Sequence, residues 1–213
     1  MALTHPDRDH CGGLVDLLRR LPVEELWSAP GWGDDDCWRD LRAVPGPRLR
    51  LLVAGDRLTV GHWRLRVLGP TQDLQAAAAN DRSLVLHATQ GRWAALIPGD
   101  IEAAGERSLA HRLARRRLAA DVLVVPHHGS RTSTSASLLA RLAPRFALIP
   151  VGVRNRYHHP SPVVLERLRA HEVRVLRTDR DGQIDVTSLE SGRPRISRPA
   201  VPRNPDPRWS ADP

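Results

Sequence analysis

Apolar and polar positions along the chain change their period several times, and each change marks an element. Leu14 to Leu21 has the spacing of a short amphipathic helix following the Gly12-Gly13 turn. Residues 22–48 are rich in Pro, Gly, Trp and acid without a clear period, and read as a surface excursion. Strands follow: LRLLVAG (49–55), a turn at Asp56-Arg57, then LTVGHWRLRVLGP (58–70) with alternating apolar positions up to Pro70. SLVLH (83–87) and WAALIP (93–98) flank the turn Thr89-Gln90-Gly91-Arg92 and predict a hairpin, with Gly99-Asp100 ending its second strand.

Beyond residue 100 strand and helix alternate. Ala and Leu recur at helical spacing over 102–119, with arginines gathered at the C-terminal end, where they complement the helix dipole. ADVLVVP (120–126) is a continuous apolar run of the kind buried on both faces, and it stops at His127-His128-Gly129-Ser130. A helix over 135–142, a second buried strand FALIPVG (146–152) and a helix opened by Ser161 as N-cap and Pro162 at its first position come next. VRVLRTD and GQIDVTSL predict a closing hairpin across Arg180-Asp181-Gly182. From Glu190 on, Pro, Arg and Ser dominate without periodicity, so the expected organisation is one domain over 1–189 and a disordered tail over 190–213. Polar clusters fall just past the ends of buried strands, where an α/β sandwich places its site.

Composition bounds the rest. A chain of 213 residues with 41% apolar positions can bury the core of one domain. It has no apolar run near the roughly 20 residues a membrane helix needs and no signal-like start, so the default expectation is the cytoplasm. Cys11 and Cys37 are too few for a disulfide framework, and an oxidised Cys11 would crowd its polar neighbours. The formal charge is +8, carried by arginine alone, since there is no lysine. Arginine suits phosphate through its planar fork, although GC-rich coding accounts for part of this usage.

The chemistry concentrates at the start. THPDRDHCGGL (4–14) sets His5, Asp7, Asp9 and His10 at spacings that let a tight loop turn two side chains to one metal and two to another. Two ions about 3.5–4 Å apart both activate a water and steady the leaving oxygen in phosphoryl transfer. Asp100, after a strand and a glycine, can bridge such a pair. Of the adjacent histidines His127 and His128, one suits a metal as a neutral imidazole, and the other a substrate or a carboxylate behind the ligands.

These blocks, followed in order by GDRLTVGHWRLRVLGP, NDRSLVL, LIPGDIE, DVLVVPHHGSRTS, VRNRYHHPSPVVLERL and RTDRDGQI, resemble the metallo-β-lactamase-like domain of the ComEC family over about residues 4–189. The resemblance implies an α/β fold, a four-layer αβ/βα sandwich, with a two-metal site on one edge. It implies His5, Asp7, Asp9, His10, Asp100 and His127 as metal ligands, with Asp9, His128 and His159 in catalytic roles and Ser130, Arg131 and Asn155 at the substrate. His158 stands where the family has glycine, and Asn80 where a third histidine is usual. More carboxylate and less imidazole shifts preference from zinc toward manganese or magnesium.

The implied activity is that of a metal-dependent phosphodiesterase or nuclease acting on DNA, single-stranded by expectation, in competence and DNA uptake. Arg131, Arg154 and Arg156 lie beside motif residues, where they can grip flanking phosphates. The alternatives are a small-molecule ester or phosphodiester hydrolase on the same fold and a degenerate fragment that binds DNA without turnover. The family domain opens with strands upstream of the histidine motif and is part of a membrane protein. The chain is therefore expected to lack its first strands, to need a missing N-terminal segment or a separate membrane channel, and to hold its ligand loop only from the Gly12-Gly13 side.

Overall fold

The computed structural model describes residues 1–74, 77–116, 118–189 and 193–199. In chain order the elements are α1 (Arg8–Cys11), α2 (Leu14–Arg20), β1 (Glu25–Ser28), α3 (Asp36–Arg42), β2 (Arg48–Leu51), β3 (Arg57–Val60) and β4 (Trp63–Gly69). There follow β5 (Val85–Gln90), β6 (Trp93–Ile97), α4 (Ala103–Arg116), β7 (Val122–Val124), α5 (Ala136–Leu142), β8 (Phe146–Ile149) and α6 (Pro162–Ala170). The remaining elements are β9 (Arg174–Arg177), α7 (Thr178–Asp181), β10 (Asp185–Ser188) and β11 (Pro194–Ser197).

The main sheet has seven strands in sequential order from β3 to β9. The pairings from β3 to β6 are antiparallel, and those from β6 to β9 are parallel. Chemistry explains the change. A two-residue turn at Gly91-Arg92 can reverse β5 into β6, whereas the parallel pairs are separated by α4, α5 and α6 as crossovers. Strand β7 is therefore shielded on both faces, which is what its unbroken Val-Leu-Val pattern anticipates.

Each face of this sheet carries its own core. On one, Leu96, Leu123, Ala147 and Ile149 pack with Leu109 and Leu113 of α4, Leu138 and Leu139 of α5, and Val164 and Leu168 of α6. On the other, Val67, Leu84 and Leu86 meet Leu26 of β1, Leu18 of α2 and Trp38 and Leu41 of α3. A second, small sheet lies in this half: β1 pairs in parallel with β2 on one side and through Ala2 with the first residues on the other. Helices, sheet, small sheet and helices make the four layers.

Several sequence expectations are corrected. Residues 22–48 are no surface excursion: they supply β1, α3 and the buried Trp32, Trp38 and Leu41. Their irregular pattern reflects short elements and large aromatics, which leave no room for a period to establish itself. The run 58–70 is two strands, folded back so that Val60 faces Trp63. The predicted closing hairpin does not form. β9 instead pairs in parallel with β8, α7 occupies the turn, and β10 finds its partner in β11. That pairing carries ordered strand into the segment read as tail; residues 200–213 lie outside the described residues. Cys11 and Cys37 are joined as a disulfide, with their Cα atoms 6.3 Å apart. The expected interference with the ligands does not arise, because Cys11 is fully buried and belongs to the α2–α3 side of the core. Among the described residues no helix is long and apolar enough to cross a membrane.

The burial of Trp38 yields a test. Trp38→Ala should cost about 3–5 kcal/mol of stability, while Leu49→Ala on exposed β2 should stay within about 0.5 kcal/mol. Urea unfolding followed by circular dichroism measures both, and the contrast vanishes if the segment is only a surface loop.

Candidate metal centre

The ends of β6, β7 and β8 lie side by side at one edge, and the loop after residue 3 comes to meet them. That loop is anchored from both sides, which corrects the expectation of a one-sided attachment. Trp27 N–H donates to the Met1 carbonyl at 2.8 Å and Leu3 N–H to the Trp27 carbonyl at 2.9 Å, so the first residues run as a strand stub beside β1. Leu84 N–H, just ahead of β5, donates to the Thr4 carbonyl at 2.8 Å and ties the loop to the main sheet as well. Asp7 then opens α1, its carbonyl accepting from the His10 and Cys11 amides at 2.9 Å each.

Four side chains converge: Asp9, His10, Asp100 and His128 offer ligand atoms that all lie within 4.8 Å of one another. His128 Nε2 is 3.1 Å from Asp9 Oδ2, 3.3 Å from His10 Nε2 and 3.6 Å from Asp100 Oδ2. His10 Nε2 is 3.3 Å from Asp100 Oδ1. The far nitrogen of His128 is engaged, its Nδ1 donating to the Pro150 carbonyl at 2.7 Å. A ring held this way presents Nε2 as a lone-pair donor, the arrangement metal-binding histidines adopt. The geometry places His128, and not His127, inside the quartet.

A second group adjoins it. His5 is wholly buried, and its Nε2 has no hydrogen-bond partner. It lies 3.7 Å from Asp7 Oδ2 and 3.8 Å from Asp100 Oδ2, too far for hydrogen bonds yet converging on a common space. A buried imidazole nitrogen aimed at two carboxylates without touching either fits a cation between them. Asp100, buried at 4% exposure, is thus shared by both groups.

The backbone around these residues is tightly specified. Gly99 has φ +62°, and a Cβ there would stand 2.8 Å from the Cβ atoms of both Ser83 and Thr4, so only glycine lets the loop approach Asp100. His127 and His128 both sit in the left-handed region, at φ 50° and 52°. Such positions cost non-glycine residues on the order of 1–3 kcal/mol each and gather at functional sites. The turn is held from below: the Thr134 and Ser135 amides donate to the buried Glu106 carboxylate, and Arg167 donates to the Ser133 carbonyl.

The other sequence-predicted residues fall around this centre. His127 Nδ1 stands 3.0 Å from Glu102 Oε1, with Nε2 3.9 Å from Asp100. His159 lies beside it, ring centroids 5.9 Å apart. Asn155 embraces His159, accepting from its amide at 2.7 Å and donating to its carbonyl at 3.0 Å, a positioning contact in place of an open substrate group. Ser130 bonds Thr132 and the His127 carbonyl, and Arg131 is exposed. Asn80 does not join the ligands; its Nδ2 donates to Glu102 at 3.4 Å. Three contributors were not anticipated. The Thr4 hydroxyl meets His5 Nδ1 at 3.0 Å, Glu102 backs His127, and Asp81 accepts from the Glu102 and Gly105 amides at the start of α4. The clue available for Asp81 was its place four residues before β5, the hairpin partner of the strand that leads to Gly99-Asp100.

Charge and burial set the protonation states. Burial lowers the His5 pKa, aided by His10 and opposed by Asp100, Asp7 and Asp9, so the ring is kept in its neutral, ligating form. Burial also disfavours charge on His10, but the hydrogen bond to Asp100 and the surrounding carboxylates outweigh it and raise its pKa. Burial would push Asp100 upward, yet its bond to His10 and the nearby His5 and His128 bring it below the usual carboxylate range. His159 is lowered, first by burial and then by His127 and His128.

No family model matches the chain. It is 35% identical over 189 residues to ComE operon protein 3 of Bacillus subtilis, covering 86% of this chain and 24% of that protein. It is 40% identical over 187 residues to competence protein ComA of Neisseria gonorrhoeae, again covering 86% of this chain and 24% of the relative. The chain therefore spans about a quarter of the length of these relatives. Among solved structures, CmlA, a diiron β-hydroxylase from Streptomyces venezuelae, superposes with a TM-score of 0.55 at 13% identity, over 83% of this chain and 42% of CmlA. A metal-dependent hydrolase from Parabacteroides distasonis superposes with a TM-score of 0.51 at 14% identity, over 84% and 74% of the two chains.

The two histidines after β7 can be told apart by metal content. His128→Ala, within the quartet, should lose most of the divalent metal that the unaltered chain retains after desalting, and His127→Ala should keep the greater part. Elemental analysis of both variants decides between them; equal retention contradicts the quartet.

Proposed function

We propose, for a chain that is a homologue of the ComEC-type competence proteins and has the metallo-β-lactamase fold, that this edge hydrolyses phosphodiester bonds of DNA with two divalent ions. The observation that carries the proposal is the convergence of Asp9, His10, Asp100 and His128 beside the orphaned nitrogen of His5. Asp9, His10 and His128 would hold one ion, His5 and Asp7 the other, and Asp100 would stand between them. The donor set has as many carboxylates as imidazoles, which favours manganese or magnesium over zinc. Such ions, when bound, supply a nucleophile at neutral pH and stabilise charge on phosphate oxygens.

The chain's own residues supply the rest. Pro150 and Thr4 fix the orientations of His128 and His5. Glu102 lies 3.0 Å from His127 Nδ1, and His159 lies beside the same ring. His159, kept neutral by burial and its histidine neighbours, offers an N–H to the departing oxygen, and the Asn155 bracket fixes the backbone that carries it. A neutral imidazole N–H acts here as a fixed hydrogen-bond donor toward developing negative charge. Supporting the DNA reading are the competence proteins among the relatives and the arginine-only basic charge of +8.

The test is cleavage of labelled single-stranded DNA by the chelator-stripped chain on adding Mn²⁺, with Asp100→Asn as the inactive control. Metal should also raise stability, by about 2.7 kcal/mol at a hundredfold excess over its dissociation constant. Cleavage that persists in Asp100→Asn, or none with Mn²⁺, Mg²⁺ or Zn²⁺, counts against the reading. Metal-dependent hydrolysis of small esters with DNA left intact would move the assignment to the small-molecule alternative.

A further inference from the structure

One face of α4 is set apart from the site just described. Arg107, His111, Arg112 and Arg115 recur there at helical spacing and line a depression of about 830 Å³. A neighbouring depression of about 800 Å³ shares Asp73 and Arg112 with it and adds Arg82 at its far wall. The two form one trench with a single carboxylate among its cations. A few arginines elsewhere are neutralised by acids, as Arg39 is by Asp36, Arg169 by Glu166 and Arg177 by Asp179. Among the described residues, no carboxylate pairs with Arg82, Arg107, Arg112 or Arg115 within 4.0 Å. Arg82 is nonetheless held rigidly, donating to the Gly31 carbonyl at 2.7 Å and lying 5.2 Å over the Trp32 ring.

The helix that lines the trench starts beside the metal centre. Helix α4 begins three residues after Asp100, and its first turn is bound through Glu102 and Gly105 to Asp81, the neighbour of Arg82. From Arg107 to Arg115 the helix advances about 12 Å at 1.5 Å per residue. A concave row of unpaired guanidinium groups leading away from a centre built for phosphate chemistry matches a chain of phosphates by charge. Grooves that follow one backbone in this manner are how single strands are gripped without regard to sequence. We propose that this trench binds the phosphate backbone of a single nucleic-acid strand whose cleavage point lies at the metal centre. The proposal rests on the phosphodiesterase reading for its direction, but the binding itself requires no turnover. Among the described residues the trench has no exposed aromatic ring, so affinity comes from charge and depends steeply on salt.

The experiment separates the two readings. Arg107, Arg112 and Arg115 are changed together to Gln in the full chain, and a second variant changes the exposed Arg19, Arg20 and Arg42 to Gln, removing the same charge elsewhere. Binding of a fluorescent single-stranded oligonucleotide is followed by anisotropy in EDTA across a range of salt. The trench variant should bind at least tenfold more weakly at low salt, with a log–log salt slope shallower by about two, as expected for three lost single-strand contacts. The control variant should stay near the unaltered chain. Hydrolysis of bis(p-nitrophenyl) phosphate with Mn²⁺ should be the same for all three, which also shows that the variants fold. Unchanged affinity and slope in the trench variant, or equal weakening in the control, overturns the trench. If the unaltered chain hydrolyses neither substrate while the binding contrast holds, the hydrolase reading fails and the trench stands.

Discussion

A buried carboxylate ringed by imidazoles is the constraint around which this edge of the protein is organised. Asp100 approaches His5, His10, His127 and His128 at 3.3–3.9 Å, and these arrive from two chain segments more than a hundred residues apart. In an apolar surrounding such a charge is tolerated only where opposite charge or hydrogen bonds compensate it. Everything near it serves that end. Gly99 allows the loop to close on Asp100, Thr4 and Pro150 fix ring orientations, and Glu106 secures the segment that follows the His127-His128 turn. Removing any one leaves the carboxylate less well compensated, which explains why so many neighbours have specified conformations.

The candidate ligands are legible in the sequence because their spacing is local. His5, Asp7, Asp9 and His10 occupy six positions, and Asp100 and His127-His128 each terminate an apolar run whose period marks a strand. Their division into groups was not readable. Which of two adjacent histidines faces the quartet depends on the left-handed backbone at both and on the Pro150 carbonyl, just past the end of β8. The two bonds from Asn155 to the His159 backbone are likewise set by the fold of that loop and have no local pattern to announce them.

The fold shows the same boundary between local and distant information. Helices α4, α5 and α6, and the β5–β6 hairpin, follow from spacing and turn residues. The closing hairpin was misread because β9 and β10 both carry good strand patterns, yet their partners, β8 and β11, are chosen by sheet order. The segment 22–48 was misread because Trp32 and Trp38 fill core volume without repeating. Large side chains in short elements leave too few positions for a period to appear.

The anchoring of the ligand loop has one more consequence. His5 to His10 descend from the stub beside β1, whereas Asp100, His127 and His128 belong to the main sheet, so the centre straddles the seam between the two halves of the sandwich. Occupying it would couple metal loading to the docking of those halves in one equilibrium, since whatever binds only the assembled state shifts the balance toward assembly. The centre would then act as a fastener, and a chelator would do more than silence chemistry: it would remove one of the ties between the two halves of the sandwich.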